Sequence, residues 1–167
     1  MNHHAKQVLS DLTDEEIYSY CQMLNELPIR YGRLHAKKST YGTDDLLSVS
    51  EVHILSQIAD NPNITATELA EHWGYTKGAI SHVIKSLSEM GLLIRQRDSV
   101  DSLKIFLTVS DKGKAISDFH KSYDVERMRK QLSELKKTCS DAEILTYFRI
   151  MGRHYNLLRH QHDDCSV

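Results

Sequence analysis

A chain of 167 residues with 40% hydrophobic and 26% charged residues can bury a real core as one domain, and it is too apolar to be disordered. No run of roughly 18 apolar residues occurs, which excludes a helical membrane span, and "MNHHAKQVLSDLTDEE" lacks the basic-then-apolar order of a secretion signal. The net charge of −2 is unevenly spread: Trp73 to Ala115 holds seven Lys/Arg against four Asp/Glu, so that segment is +3 and the remainder −5.

Thr13 with Glu16 has the spacing of a capping box, and Ile17, Tyr20, Leu24 and Leu27 follow at helical intervals until Pro28, which is expected to kink or interrupt the helix. "KKSTYGTDD" reads as a loop. Ser50 is placed to cap a second helix carrying Val52, Leu55, Ile58 and Ala59, ended by "DNPN" because Asn61 precedes Pro62. Thr65 with Glu68 opens a third helix, and Thr76 opens a fourth that stops at Gly91. The period then changes to two. "LLIRQR" and "LKIFLTV" read as strands, the second with Lys104, Phe106 and Thr108 on one face and Ile105, Leu107 and Val109 on the other. "DSVDS" is the polar loop between them. Ser110 caps a long fifth helix, and Ser140 with Glu143 opens a sixth carrying Ile144, Leu145, Phe148, Met151, Tyr155 and Leu158.

The third and fourth helices stand very close in sequence, which is the pattern of a helix-turn-helix. That motif needs a small residue at the helix crossing, a residue tolerant of positive φ in the turn, and apolar residues that lock the second helix. Ala70 fits the first need and Gly74 the second. Ile80 and Val83 fit the third, with Leu69 and Trp73 packing from the preceding helix. The exposed face of the fourth helix is then Thr76, Lys77, Ser81, His82 and Lys85. These are short hydrogen-bonding groups and cations, the types that reach base edges and phosphates in a major groove. An ordinary helical hairpin with a solvated face is the bland alternative; the strand pair that follows favours the first reading.

With these residues placed, the chain resembles the MarR family of winged helix-turn-helix transcriptional regulators over roughly residues 13 to 160. The resemblance rests on "TATELAEHWGYTKGAISHVIKSLSEMGLL" and "RQRDSVDSLKIFLTVSDKGK". Asp101 matches the family's wing aspartate, and "VSDKG" (109–113) matches its Leu-Thr-x-x-Gly close with Ser110 in place of threonine. The wing arginine is absent: Leu103 stands there, with Arg97 or Lys104 as substitutes. The fold implied is mainly α with a small β-hairpin, a single MarR-like domain over 1–167. Within it, 46–115 forms a winged-helix DNA-binding lobe, and 13–38 with 116–160 forms a helical dimerisation region from both termini. The resemblance implies a cytoplasmic homodimer that binds double-stranded DNA at a pseudo-palindromic operator, more in keeping with a repressor than an activator, and is switched by a small ligand or a metal ion. Two recognition helices would enter successive major grooves about 34 Å apart. Lys77, Ser81 and His82 would read bases beside Thr76, with Lys85, Arg95, Arg97 and Lys104 serving the phosphates or the wing. A winged-helix module that binds protein instead of DNA is the alternative.

Zinc-responsive members of the family use histidines and carboxylates from the end of the first helix, the start of the second, and the fifth. The matching positions are His35, His53, His120 and Asp124. His120 and Asp124 are four residues apart, hence on one helical face, and imidazole with carboxylate suits zinc or another divalent metal. A hydrogen-bonded network between helices is the other use for such residues. The tail "HYNLLRHQHDDC" holds His154, His160, His162 and Cys165, a composition that binds metal loosely or simply frays. The three cysteines, Cys21, Cys139 and Cys165, form no C-x-x-C and no even set, which fits a reducing compartment. Cys21 lies where peroxide-sensing members carry a reactive thiol, but without an evident cation or helix N-terminus beside it; a buried, inert cysteine is expected over a redox site. No Gly-rich phosphate loop, nucleophile elbow or H-E-x-x-H is present, so no enzyme is expected.

Overall fold

The structure, a computed structural model, describes residues 9–34, 37–99, 101 and 104–164. Helix α1 (Asp14–Leu34) begins at the expected box: the Thr13 N–H donates to Glu16 Oε2 at 2.9 Å and the Glu16 N–H to Thr13 Oγ1 at 3.3 Å. It does not stop at Pro28 but runs through it. A proline inside a helix removes one N–H donor and crowds one carbonyl, and here the flanking turns carry the helix past that loss.

The expected loop at 37–45 contains structure of its own. Two short strands, β1 (Ser39–Thr40) and β2 (Leu46–Leu47), pair antiparallel as Ser39↔Leu47 and Thr40↔Leu46. The hairpin delivers Tyr41 and Leu47 into the core. Helix α2 (Val49–Asp60) is capped by Ser48, not Ser50. The capping box requires Glu three residues on, and Glu51 satisfies it for Ser48, whereas Ser50 already lies in the first turn. The helix ends at Asp60, as Asn61-Pro62 demands.

A third short strand, β3 (Ile64–Thr65), leads into helix α3 (Ala66–Trp73). Helix α4 (Lys77–Glu89) follows, and β4 (Leu93–Arg97) and β5 (Ile105–Val109) form the wing. The sheet order is β3-β5-β4, all antiparallel, with β5 central: Ile64 faces Leu107 on one side and Arg95 faces it on the other. Strand β3 is too short to show a period in sequence; Asn63, at φ 72°, turns the chain so that its N–H reaches the Leu107 carbonyl at 2.9 Å. The expected facing holds on β5, where Leu107 is buried, Ile105 and Val109 pack on the core, and Lys104 sits 5.0 Å over the Phe106 ring.

Helix α5 (Asp111–Leu135) is capped by Ser110, whose Oγ accepts the Gly113 N–H and donates to the Gly91 carbonyl at 2.8 Å. The start of α5 thereby presses onto the turn after α4. A Cβ on Gly113 would lie 2.2 Å from the Leu92 carbonyl oxygen, so only glycine fits there. Helix α6 (Asp141–Asp164) opens with the Ser140–Glu143 box.

The core joins α2, α3, α4, the sheet and the first turns of α5: Val52, Ile54, Leu55, Ile58, Leu69, Ile80, Leu87, Leu92, Leu107 and Ile116 are all within 1% of full burial. By contrast α1 and α6 leave Ile17, Tyr20, Leu24, Leu27, Leu145, Ile150, Tyr155 and Leu158 exposed. Cys21, expected buried, is exposed on α1, because none of the described residues covers it. A groove of about 960 Å³ between α1, α5 and α6 is lined by Tyr31, Met128, Leu135, Ile144, Tyr147, Phe148 and Met151. Among the described residues no helix is long and apolar enough to cross a membrane.

Candidate nucleic-acid interface and metal cluster

The turn between α3 and α4 is built as the sequence requires. Gly74 takes φ 62°, ψ 29°, a left-handed conformation that costs glycine little, and its N–H closes α3 on Ala70 and Glu71. Thr76 then caps α4 by accepting the Ala79 N–H at 3.2 Å. Ile80, Ile84 and Leu87 are buried, and Val83, half-buried, packs against the same core, so Ile84 joins the two expected locks. With that face held against the lobe, Thr76, Lys77, Ser81, His82 and Lys85 all stand exposed on the other. Lys85 pairs loosely with Glu89 at 3.8 Å, a contact that water screens.

The wing completes the surface. Arg95, Arg97 and Lys104 are exposed, Arg95 and Arg97 two apart on β4 and therefore on one face of it. A cleft of about 550 Å³ runs between α4 and the wing and brings Ser81, Arg95 and Lys104 together with Asp101 and Thr67. Arg97 and the rest of α4's face lie outside that cleft. Thr67, in the first turn of α3, is a lining residue that the sequence reading missed; its signal is the Thr65 cap, which places the start of α3 beside the cleft. Leu103, at the missing arginine's position, lies outside the described residues.

A carboxylate bridge stands behind α4. Glu51 Oε2 accepts the Ser48 N–H and hydroxyl, both at 2.8 Å, and lies 3.5 Å from Lys38 Nζ; Oε1 accepts the Ser86 hydroxyl of α4 at 2.8 Å. Burial alone would raise the Glu51 pKa, but the Ser48 and Ser86 hydrogen bonds and the Lys38 charge outweigh it and hold the carboxyl below its ordinary value. Across the same end of the lobe Lys112 bonds Asp45 at 2.8 Å and the Met90 carbonyl at 3.3 Å. The Lys112 hydrogen bond holds the Asp45 carboxyl below its usual range.

The second cluster lies where α2 crosses α5. His53, His120 and Asp124 offer ligand atoms all within 4.8 Å of one another. His120 Nε2 is 3.5 Å from His53 Nδ1 and 3.4 Å from Asp124 Oδ2. Two donors bound tetrahedrally to one zinc ion at ordinary bond lengths are separated by about 3.3 Å. The donor set and its spacing therefore fit a divalent ion, although the same contacts also serve a hydrogen-bonded chain. His35, the fourth expected ligand, lies outside the described residues.

The surroundings of the cluster are polar and tightly built. Ser117 donates to Ser56 at 3.2 Å, and Lys121 pairs with Asp60 across the same helix crossing. Tyr41 of the β1–β2 hairpin packs edge-on against His120, ring centres 5.3 Å apart. Burial, then the nearby Asp124 charge, raises the Tyr41 phenol above its ordinary pKa. Arg127 Nη2 lies 3.3 Å from Asp124 Oδ1. A cleft of about 360 Å³ opens beside the cluster and is walled by His72 and Trp73 of α3, whose indole is 6.2 Å from the His53 ring. Tyr41 and Arg127 were not foreseen, since neither makes a recognisable spacing with the histidines. Cys21 is on α1, outside both groups of residues. In the C-terminal segment His154 is exposed, and the side chains of His160, His162 and Cys165 lie outside the described residues.

An α3-turn-α4 pair locked by a left-handed glycine, followed by a basic antiparallel wing, defines a winged helix-turn-helix protein. The MarR family model matches residues 47–102, which span α2, the helix-turn-helix and β4. The HTH-type transcriptional regulator YhjH of Bacillus subtilis is 29% identical over 93 residues, 56% of this chain and 53% of YhjH, so the chain spans about half the length of that curated relative. Among solved structures, Streptococcus pneumoniae FabT in complex with DNA is similar at TM-score 0.63 and 21% identity, over 89% of this chain and 99% of FabT. The zinc-responsive MarR family member ZitR of Lactococcus lactis is similar at TM-score 0.59 and 17% identity, over 81% of this chain and 99% of ZitR. At these identities the structural likenesses speak to the fold.

Proposed function

We propose that the protein is a sequence-specific DNA-binding transcriptional regulator, a homodimer that places two copies of α4 in successive major grooves of a pseudo-palindromic operator. The observation that carries this is the two-sided character of α4: Ile80, Ile84 and Leu87 buried behind, and Lys77, Ser81, His82 and Lys85 exposed in front. The exposed apolar faces of α1 and α6 supply the dimer seam, since a stripe of that size left in water favours association. Residues 46–115 form the DNA-binding lobe, and 13–38 with 116–160 the dimerisation region. The wing reaches the backbone through Arg95, Arg97 and Lys104, and Thr67 adds a phosphate donor at the floor of the cleft. The test is selection of binding sites from random duplexes by the purified full chain, followed by gel shift at several salt concentrations. Enrichment of an inverted repeat with steep salt dependence is expected. Binding without sequence preference, or none, rejects the assignment and leaves the protein-binding module.

The switch is read from the α2–α5 crossing. His53, His120 and Asp124 would hold a divalent ion, zinc fitting the donor types best, with His35 as a further donor. Such an ion supplies a fixed link between a helix of the DNA-binding lobe and the long helix that leads to the dimer seam. Isothermal titration of zinc into chelator-treated protein tests this; absence of a saturable heat at micromolar concentrations ends the metal reading and leaves a small-molecule effector.

A further inference from the structure

The carboxylate that completes the metal cluster is already engaged. Asp124 Oδ2 faces His120 Nε2 at 3.4 Å, while Oδ1 faces Arg127 Nη2 at 3.3 Å on the same helix. Both side chains of the Asp124–Arg127 pair are about one third exposed, so the pair is neither sealed nor fully screened. A guanidinium keeps its charge throughout the physiological range and offers no lone pair to an ion. It therefore opposes a divalent cation twice: it draws on the charge of the carboxylate that the ion needs, through the oxygen facing away from His120, and it adds a positive charge beside the site.

We propose that Arg127 is an internal competitor that sets the metal concentration at which the His53–His120–Asp124 site fills. This rests on the metal reading above. The geometry gives the competition its direction, because both effects of Arg127 have the same sign. An ion entering the cluster has to share or take Asp124 from the guanidinium, and the displaced charge stays tethered to α5 within a turn of the site. A sensor gains from such an arrangement. Three ligands preset close together tend towards tight binding, and a resident cation moves the response to higher free metal without altering a ligand. Charges separated by one helical turn at a partly wetted surface interact enough to change affinity on the order of tenfold.

The experiment uses the full chain, stripped with chelator and titrated with zinc chloride. Affinity is read by competition with a chromophoric zinc chelator and by emission of Trp73, the chain's one tryptophan, which stands 6.2 Å from His53. Arg127→Gln is expected to bind zinc about tenfold more tightly than the parent. Arg127→Lys, which keeps the charge, is expected to stay within a few-fold of the parent. Arg129→Gln removes the same charge from an exposed pair with Glu126 on the same helix and is expected to change nothing. The proposal is overturned if Arg127→Gln binds no more tightly than the parent, or if Arg129→Gln tightens binding equally. Zinc binding confined to Arg127→Gln supports it. Absence of binding by every chain, the glutamine variant included, ends the metal reading and this inference with it.

Discussion

Replacing Glu51 by alanine removes four contacts at once, which makes it the sharpest test of how α4 is held. The side chain closes the α2 capping box on Ser48, accepts the Ser86 hydroxyl from α4, and faces Lys38. Loss of the box costs about 1 kcal/mol. Leaving the half-buried Ser86 hydroxyl without its acceptor adds about 1–2 kcal/mol, and the largely exposed Lys38 adds little. The expected total is about 2–3 kcal/mol, a fall in Tm of roughly 4–12 °C for a chain of this length. Thermal melts followed by circular dichroism, at one fixed protein concentration because the proposed dimerisation would shift Tm, give the number. A cycle with Ser86→Ala isolates the link to α4, with an expected coupling of about 1 kcal/mol or more. Glu51 also predicts a pH dependence. Its folded pKa lies below the ordinary carboxyl value of 4.5, so its stabilisation is complete above pH 4.5 and drains away as pH falls from there through the folded pKa. The gap between the parent and Glu51→Gln is therefore expected to narrow over that acidic window. An alanine variant within about 0.5 kcal/mol of the parent at neutral pH refutes the reasoning, because surface substitutions alone produce effects of that size.

Gly113→Ala forces a methyl group to 2.2 Å from the Leu92 carbonyl oxygen; a loss of about 3 kcal/mol or more is expected in urea titration, and a variant as stable as the parent contradicts the packing of α5 on that turn. Lys85→Ala is expected to weaken binding to all duplexes alike and to reduce the slope of log affinity against log salt by about 2 per dimer, one phosphate from each copy; an unchanged slope removes Lys85 from the interface. Ser81→Ala is expected instead to redistribute preference among selected sites with little change in that slope. His120→Ala is expected to abolish saturable zinc binding in the calorimeter, and retention of full affinity places the ion elsewhere.

What was legible in the sequence was whatever a local rule dictates. Thr65, Thr76, Ser110 and Ser140 each cap the helix assigned to them, because a cap is decided by a residue and its partner three positions on. The same rule applied two positions off gives Ser50 where Ser48 belongs, since both are serines just before an apolar run and only Glu51 distinguishes them. Pro28 predicts a kink or an interruption, and only the interruption is overturned, because the turns on either side carry the helix through. Strands β1, β2 and β3 escaped notice for another reason: two residues cannot display alternation, and each strand exists only because a distant segment offers it hydrogen bonds.

The metal cluster shows where this limit bears on function. His120 and Asp124 are neighbours by helical spacing, so their sharing a face followed from the sequence. Their meeting with His53 depends on the crossing of α2 and α5, and that crossing is fixed by Leu55 and Ile116 in the core and by the Ser56–Ser117 hydrogen bond. The residues packed around the cluster are harder still to foresee. Tyr41 arrives on a hairpin read as a loop, and Arg127 looks like one more solvated cation until Asp124 is seen between it and His120. A candidate ligand set can thus be read from residue types, whereas the ion concentration at which it would fill depends on neighbours that carry no motif. The two properties are expected to separate in the variants above: His120→Ala should remove zinc binding, and Arg127→Gln, which leaves every named ligand in place, should change only the concentration of zinc needed to fill the site.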